Sequence, residues 1–504
     1  MQREKALQLE DLVFRFQEKG KRNILDHVSL EIEAGGITVL MGSSGCGKST
    51  LAAVAAGLYP ENGGFLESGD IRLFGRPLKE LNQQQRAAYL TLMFQNPDLQ
   101  FCMNTLRKEM QFCMENICVP PEQMDEKIAC AAERLGVSEL LDRRLHSLSG
   151  GEKQKAALAC LYVMESRCVL LDECFANIDR SAAREILELL LRMKQEGRTV
   201  IAIDHQADLW LDAADEIILL GEGGRVAARG ICRENLAAYR PVFQEQGLFY
   251  PQAPERLYPP RPAGDPVLSF RDVSIRRGQT VKKKWSRKPE PDEPFLLRQA
   301  SADFPRGCMT AVLGPSGSGK TTTFLAALKQ YPYTGTILLN GRDLSRLRPR
   351  ELYQQMGIVF QNPSNQFITQ NVEEEICASL RVWDRQMPEE ACRQRADQLL
   401  ESYQLGRYRK YSPYMLSQGQ QRRLAVLSVL AGGQKLLLLD EPTYGQDDRS
   451  SRAVMQQLRQ KIEDEGLTVI FITHDRALAA VWADRIYELC GQKLVERAPE
   501  ELCL

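Results

Sequence analysis

The sequence predicts an α/β protein made of two tandem copies of one domain. Its 504 residues are too many for one ordinary hydrophobic core and suggest two domains. Several short motifs occur twice in the same order, about 270 residues apart, which indicates an internal repeat. In both halves a short apolar, β-rich run precedes a glycine-rich loop and a helix-compatible run. We therefore expect a mixed or parallel sheet with helices in each copy.

Five pairs of segments define the repeat. They are GSSGCGKST at 42–50 and GPSGSGKTT at 314–322, FQNP at 94–97 and 360–363, LSGGEKQK at 148–155 and LSQGQQRR at 416–423, LLDE at 170–173 and 438–441, and the IDH and THD triplets that contain His205 and His474. The spacing is nearly constant, so only small insertions separate the landmarks. We expect a first domain over residues 1–240, a linker over 241–266 and a second domain over 267–504.

Two irregular stretches interrupt the pattern. Between Phe249 and Pro266 the chain is rich in proline, which disfavours helix and sheet and favours an extended connector. A basic insertion at about 278–294 contains KKKWSRK, interpreted as a solvated loop, with contact to nucleic acid or lipid as the alternative.

Composition limits the classes of function. Lys+Arg 65 against Asp+Glu 66 gives no overall field that would draw the chain onto nucleic acid. No signal peptide is evident, and the apolar runs fall short of the roughly 20 residues that cross a bilayer. The 14 cysteines include no CxxC pair, and Cys160, Cys168 and Cys377 lie in apolar segments. We expect an intracellular protein with reduced core thiols, whose membrane work would need other chains.

The glycine-rich loops predict two nucleotide phosphate sites. Glycines let backbone N–H groups turn toward phosphates, and the following helix presents its positive N-terminus. A lysine then neutralises phosphate charge and a hydroxyl serves Mg²⁺. The residues expected in these roles are Gly42, Gly45, Gly47, Lys48, Ser49 and Thr50 in copy one, and Gly314, Gly317, Gly319, Lys320, Thr321 and Thr322 in copy two.

Paired acids follow a buried strand in each copy. Asp172 and Asp440 are expected to hold Mg²⁺, and Glu173 and Glu441 to polarise an attacking water. A lone acidic pair after a strand is more often a solvated strand end or a helix cap. Because a phosphate loop occurs in the same domain, the catalytic interpretation is favoured here. His205 and His474 follow strands at equivalent places, which suggests contact with the γ-phosphate and water.

The segment LSGGE at 148–152, which precedes LLDE, resembles the signature motif of the ABC family. With the other repeated motifs, the resemblance to this family covers nearly the whole chain. The resemblance implies that each domain adds a helical signature subdomain and that two cassettes pair head to tail, within one chain or between two. Each ATP is then clamped between one phosphate loop and the opposite signature. The implied signature contacts are Ser149, Gly150 and Gly151 in copy one and Ser417, Gln418 and Gly419 in copy two. Gln95 and Gln361 match the Mg²⁺-sensing Q-loop, and Asp179 and Asp447 the loop that faces the opposing cassette.

Some positions depart from the family pattern. Gln418 replaces a signature glycine, Glu152 a glutamine, and Cys174 stands where proline commonly follows the glutamate. Phe16 matches the aromatic that stacks on adenine, whereas copy two offers Arg277, or Trp285 from the insertion. We expect two hydrolytic sites that differ in nucleotide affinity or rate.

FQNPDLQF, FQNPSNQF and DEPTYGQD resemble segments of energy-coupling-factor and cobalt-type importer ATPases. The resemblance implies a peripheral ATPase at the cytoplasmic face of the membrane, with ATP and Mg²⁺ as its cofactors. Its partners would be a transmembrane coupling subunit and a small substrate-binding membrane subunit for a vitamin, cofactor precursor or metal ion. No nucleic-acid partner is expected.

The main alternative is a soluble tandem ABC ATPase that remodels the ribosome or another nucleoprotein. The near-neutral charge and the short proline-rich connector weigh against it, and the basic insertion is its only support. A DNA-repair or chromosome ATPase would call for zinc-binding cysteine pairs or a long coiled coil, and the sequence has neither.

Overall fold

The chain divides into two units, Met1–Pro251 and Gln252–Leu504. The computed structural model describes residues 4–18, 22–175, 178, 180–251, 256, 258–262, 264–278, 294–315, 317–443 and 448–498. The division between the units lies inside the predicted linker. Most of the predicted basic insertion, with Trp285, and both Asp179 and Asp447 lie outside the described residues.

The first unit has ten strands and seven helices in its described part. The strands are β1 Lys5–Arg15, β2 Leu25–Glu33, β3 Ile37–Gly42, β4 Phe65–Leu73, β5 Arg76–Pro77, β6 Leu90–Met93, β7 Cys168–Asp172, β8 Thr199–Asp204, β9 Glu216–Leu220 and β10 Val226–Ile231. The helices are α1 Lys48–Ala55, α2 Gln83–Tyr89, α3 Leu106–Asn116, α4 Pro121–Leu135, α5 Gly150–Val163, α6 Arg180–Gln195 and α7 Arg240–Glu245.

The described part of the second unit repeats this order. Its strands are β11 Pro266–Arg276, β12 Phe295–Pro305, β13 Met309–Leu313, β14 Thr334–Leu339, β15 Arg342–Asp343, β16 Met356–Val359, β17 Leu436–Asp440, β18 Thr468–Thr473, β19 Arg485–Cys490 and β20 Lys493–Arg497. Its helices are α8 Lys320–Ala327, α9 Pro349–Gln355, α10 Val372–Trp383, α11 Glu389–Ser402, α12 Gln418–Leu430, α13 Asp448–Glu465 and α14 Arg476–Trp482.

Each unit contains a six-stranded mixed sheet and a four-stranded antiparallel sheet. The large sheets have the orders β10-β9-β3-β8-β7-β6 and β20-β19-β13-β18-β17-β16, and the small ones β2-β1-β4-β5 and β12-β11-β14-β15. In each large sheet the pairings are parallel except for an antiparallel edge pair, β9 with β10 or β19 with β20. The predicted α/β class is confirmed.

Apolar runs form the central strands because both faces of the large sheet are covered. In β7, Cys168 and Leu170 join the core shared with the small sheet and α1, whereas Val169 and Leu171 join the core under α3, α5 and α6. Helices α3, α4 and α5 pack on one another, and α10 packs on both α11 and α12; these helices form the predicted helical part of each unit. Within the described chain, no helix is both long and apolar enough to span a membrane.

The segments on either side of the unit boundary pack against the units they belong to. The first unit continues past residue 240 as α7, where Phe243 is buried and stacks edge-on against Tyr250. On the second unit, Tyr258 packs against Trp482 and the Arg256 guanidinium donates to the Ala483 carbonyl. Aromatic contacts therefore hold residues 243–250 against the first unit and Tyr258 against the second unit. The proline content of the segment does not predict these contacts.

A buried ion pair in the second unit predicts a large stability effect. The Asp484 side chain is 0% exposed and accepts hydrogen bonds from Arg459, from Met309 N and from Arg261 N. Asp484→Ala would remove the nearest carboxylate from the buried Arg459 guanidinium. Among the described residues, that group would keep as polar partners only the Pro259 carbonyl at 3.3 Å and the half-exposed Glu463 at 3.7 Å. We therefore expect the second unit to lose about 3–5 kcal/mol of unfolding free energy. Thermal or urea unfolding with nucleotide absent measures this loss.

Asp215 provides the matched control for that substitution. It is the equivalent residue of the first unit, where it accepts from Ile37 N and pairs with Lys194, but its side chain is 49% exposed. Asp215→Ala should therefore cost only about 1 kcal/mol. Equal losses for the two substitutions would contradict the assigned difference in burial.

Candidate ATP sites

The phosphate loop of the first unit lies between β3 and α1, at the carboxyl edge of the sheet. Gly47 has φ 108°, and a Cβ there would come within 2.9 Å of the Ile24 carbonyl oxygen. Only glycine fits that position without a shift. The buried Lys48 ammonium donates to the Gly42 and Ser43 carbonyls, at 2.7 and 3.0 Å. Its charge is thus already held inside the loop where phosphates would enter.

The second loop, between β13 and α8, has the same construction. Gly319 has φ 101°, and a Cβ there would meet Leu296 Cβ at 2.9 Å. The Lys320 ammonium donates to the Gly314 and Pro315 carbonyls at 2.7 and 2.9 Å. The two loops therefore present equivalent lysine charges, as expected from the repeat.

The two glutamates predicted to polarise water share an unusual backbone. Glu173 and Glu441 both have φ 49°, in the left-handed region that costs a non-glycine residue about 1 kcal/mol or more. Their amides donate to Ile203 O at 2.9 Å and Ile472 O at 3.0 Å, which fixes each glutamate against the neighbouring strand. Such strain, repeated in both units, is typical of functional positions.

In the first unit the predicted Q-loop, glutamate and histidine meet. Gln95 Nε2 donates to Glu173 Oε2 at 2.5 Å, and His205 Nδ1 lies 3.7 Å from Glu173 Oε1. Burial alone would raise the pKa of Glu173, but His205, Lys48 and Gln95 together lower it. Burial works against a charged His205, yet Glu173 and Asp204 raise its pKa above the ordinary value. The environment thus favours a carboxylate on Glu173, the form that can act as a base.

The second unit forms the same pair more tightly. His474 Nδ1 lies 3.0 Å from Glu441 Oε1. Burial would lower the pKa of His474, but the hydrogen bond to Glu441 raises it. The backbone carbonyl of Gln361 accepts a hydrogen bond from Arg422 at 2.6 Å.

The oxygen atoms beside each loop fit Mg²⁺. Asp172 is buried, and its Oδ1 has no hydrogen-bond partner. Burial raises the pKa of Asp172 to about 6, the Glu173 charge adds to this, and Ser49 opposes it. In the second unit the Thr321 hydroxyl donates to Asp440 Oδ2 at 2.7 Å. A carboxylate oxygen without a partner, next to a hydroxyl, suits a hard cation.

Asp172 predicts an opposition between stability and function. The pKa of Asp172 in the folded, metal-free first unit lies above that of an unfolded aspartate, so the folded state binds the proton more tightly. Above about pH 6 Asp172 is ionised, and its buried charge then opposes folding. We expect Asp172→Asn to stabilise the Mg²⁺-free first unit by up to about 2 kcal/mol at pH 8.

The gain from Asp172→Asn should stay nearly constant from pH 8 to about 6 and shrink as the pH falls from about 6 to about 4, because wild-type Asp172 then becomes neutral in the folded state. Thermal unfolding without Mg²⁺ at several pH values measures the difference. Equal midpoints at pH 8, or a gain that does not shrink between about pH 6 and about pH 4, would contradict the assignment.

The signature residues begin a separate helix in each unit. Ser149 caps α5 in a capping box with Glu152, and Ser417 caps α12 in the same way with Gln420. Glu152 therefore completes the capping box in the first unit, as the glutamine Gln420 does in the second. Gln418 is an exposed first helical residue without positive φ, so the backbone tolerates this departure from glycine.

The two units differ where adenine was predicted to stack. Phe16 is 51% exposed and edge-on to Tyr59, with ring centroids 5.6 Å apart. Arg277 occupies the equivalent end of β11 and donates to the Gly317 carbonyl of its phosphate loop at 3.2 Å. Of the two candidates that we weighed in copy two, Arg277 lies at the loop, and Trp285 is outside the described residues.

Sequence reasoning missed two partners of the first site. Asp204 is buried, accepts from Trp210 Nε1 at 2.8 Å and from His205 N at 2.7 Å, and so fixes the loop that carries the histidine. Tyr59 was also missed, although it extends the aromatic surface around Phe16. The adjacency of Asp204 to the histidine was a usable signal. The tyrosine contact depends on tertiary packing.

Residues 25–176 and 297–444 match the family described as ABC transporter, one match in each unit. The chain belongs to this family. Its resemblance to tandem cassette proteins is thereby confirmed, and the protein is an ATP-binding ABC ATPase with two cassettes. From here the units are called the first and second cassette.

The similarity to individual relatives extends over both cassettes of this chain. YkoD of Bacillus subtilis (strain 168), named as an HMP/thiamine import ATP-binding protein, is 34% identical over 96% of this chain and 90% of its own length. A protein of Methanosarcina acetivorans named as an ABC transporter ATP-binding protein is 33% identical, covering 95% of this chain and 84% of that protein. A chain in the solved structure of ribosome-bound archaeal Pelota and ABCE1 has a TM-score of 0.66 at 16% identity, covering 97% of this chain and 79% of that chain. At that identity the similarity concerns the fold alone.

Proposed function

We propose that this chain is the ATP-hydrolysing subunit of an importer of the energy-coupling-factor type. It works at the cytoplasmic face of the membrane and powers uptake of a vitamin, cofactor precursor or metal ion. The observation that carries this proposal is the similarity to YkoD, which extends over both cassettes and most of both chains. The printed name of that relative concerns import of HMP or thiamine, a solute of the proposed class.

The loop segments that resembled importer ATPases add support. In FQNPDLQF the Gln100 side chain accepts from Phe94 N at 3.0 Å and donates to Leu92 O at 3.0 Å. In FQNPSNQF the Gln366 side chain accepts from Phe360 N at 3.3 Å. The final glutamine of each segment thus closes the loop that begins with Gln95 or Gln361, giving that loop a defined shape for a partner.

We propose that each ATP binds between the phosphate loop of one cassette and the signature of another. Lys48 would meet the phosphates of one ATP opposite Ser417 and Gly419, and Lys320 those of the other ATP, opposite the first signature. The exposed helix starts at Ser149 and Ser417 are suited to this role because a helix N-terminus attracts phosphate.

Hydrolysis would use the residues gathered at the strand ends. Glu173 accepts a proton from the attacking water, Gln95 orients that water, and His205 holds the glutamate and the γ-phosphate in position. Glu441, Gln361 and His474 act in the second cassette. Ser49 and Asp172, or Thr321 and Asp440, would hold Mg²⁺, whose chemistry is charge neutralisation on the phosphates.

Closure on ATP and reopening after hydrolysis would move the Q-loop surfaces and drive the membrane partner. The proposed partners are a transmembrane coupling subunit and a small substrate-binding membrane subunit. Their side chains, and not those of this chain, would select the solute.

Affinity purification from detergent-solubilised native membranes tests the proposal. The bait is the Glu173→Gln/Glu441→Gln variant in MgATP, chosen to hold the ATP-bound state. The control bait carries Glu139→Gln and Glu390→Gln, two exposed glutamates on the helical parts, so the change in charge is the same. Recovery of a polytopic subunit with small hydrophobic subunits supports the proposal. Recovery of ribosomal proteins or nucleic acid without a membrane protein contradicts it and supports the nucleoprotein alternative.

A further inference from the structure

The second cassette contains a buried arginine that the catalytic description does not use. Arg422 lies on the signature helix α12 and is 2% exposed. Its guanidinium donates to the Phe360 carbonyl at 2.7 Å and to the Gln361 carbonyl at 2.6 Å. A buried guanidinium is costly unless it is hydrogen-bonded, so these two hydrogen bonds help to hold the side chain in place.

The first cassette lacks this arrangement. Gln154 holds the equivalent place on α5 and is likewise 2% exposed, but its Oε1 has no hydrogen-bond partner. Its shorter neutral side chain does not reproduce the forked donor geometry of an arginine. The residue at this helix position therefore hydrogen-bonds to the Q-loop backbone as Arg422 in the second cassette, whereas no such contact is seen for Gln154 in the described part of the first cassette.

Neighbouring contacts follow the same asymmetry. In the second cassette Ser364 Oγ donates to Gln421 Oε1 at 3.0 Å, and Gln366 Nε2 donates to the Ala425 carbonyl on α12 at 3.2 Å. In the first cassette the corresponding link is the Lys153–Asp98 ion pair, in which the Asp98 side chain is 51% exposed. An exposed pair contributes little and is screened by salt.

We propose that Arg422 is a positioning residue of the second cassette, which ties the Gln361 loop to the signature helix so that the two move together. The Gln361 loop serves the ATP held at Lys320, and the signature helix serves the other ATP. Arg422 therefore links the two ATP sites mechanically, and the first cassette has no equivalent residue. The inference rests on the proposed head-to-tail pairing and on ATP hydrolysis by the chain, and it is independent of the imported solute.

ATPase kinetics of Arg422→Gln, which introduces the residue of the first cassette, test the proposal. The background is Glu173→Gln, so that the remaining activity comes from the site of Lys320 and Glu441. We expect kcat to fall about tenfold and the half-saturating Mg²⁺ concentration to rise, because Gln361 loses the support that orients it, while the KM for ATP stays within about twofold.

The neighbouring Arg423→Gln is the matched control. Arg423 lies on the same helix but donates to Tyr403 O and Gln404 Oε1, away from the Q-loop, so kcat should change less than twofold. If Arg422→Gln does not fold, Arg422→Lys, which keeps the charge but not the fork, is measured in its place and should show a smaller loss. A kcat within twofold of the background, or a fall in kcat with unchanged Mg²⁺ half-saturation, overturns the proposal.

Discussion

Replacing Glu173 and Glu441 together by glutamine is expected to lower kcat for ATP hydrolysis by about 10²–10⁴-fold, the usual contribution of a positioned general base. Each glutamate is fixed by strained backbone beside a histidine, at 3.7 Å in the first cassette and 3.0 Å in the second. Glutamine keeps the shape of the side chain but cannot accept the proton. Steady-state phosphate release from the purified chain measures the effect.

ATP binding should survive the double substitution. In the proposed mechanism the carboxylates act on water, whereas Lys48 and Lys320 meet the phosphates, so equilibrium affinity for MgATP should change little. The single variants should each leave one working site. A double variant that retains more than about a tenth of kcat would contradict the assignment of both glutamates as bases.

Replacing a loop lysine by methionine is expected to weaken ATP binding at that site by about 10–100-fold, since a charged hydrogen bond contributes about 1.5–3 kcal/mol. Lys48 and Lys320 are both buried with their ammonium groups on loop carbonyls, so their charges are already placed for phosphate. Methionine keeps the apolar stem of the side chain and removes the charge. Equilibrium binding of ATP measures the loss.

Each single lysine variant serves as the control for the other. Lys48→Met should leave the site of Lys320 intact, and the reverse should hold for Lys320→Met. Full-affinity binding of ATP at both sites in either single variant would show that the lysine is not a phosphate ligand.

Features that depend on local pattern were predictable. Glycine spacing defines the phosphate loops, because Gly47 and Gly319 must adopt φ values that other residues resist. Each of the apolar strands β7 and β17 ends in an acidic residue, Asp172 or Asp440, and this pattern predicted that these acids lie at the carboxyl edge of a sheet. The reason is that the carboxyl ends of parallel strands lie at the same edge. The repeat then supplied the second copy of each element.

Features that depend on contacts between distant segments were not predictable. The proline-rich stretch suggested an extended connector, but Tyr258 packs on Trp482, more than 200 residues away. Arg422 looked like one basic residue in a signature helix, and its role depends on carbonyls about 60 residues earlier in the chain. Pattern and spacing carry no information about such pairs. Head-to-tail pairing of the cassettes stays a prediction from family resemblance.

The central claim, two ATP sites in one chain, is tested most directly by counting the ATP retained by the Glu173→Gln/Glu441→Gln variant. The purified full chain is loaded with MgATP, passed through a desalting column and assayed for bound nucleotide per chain. The account predicts two ATP molecules per chain, reduced to one when Lys48→Met is added. Retention of one or none, with both lysines present and the chain folded, would contradict it.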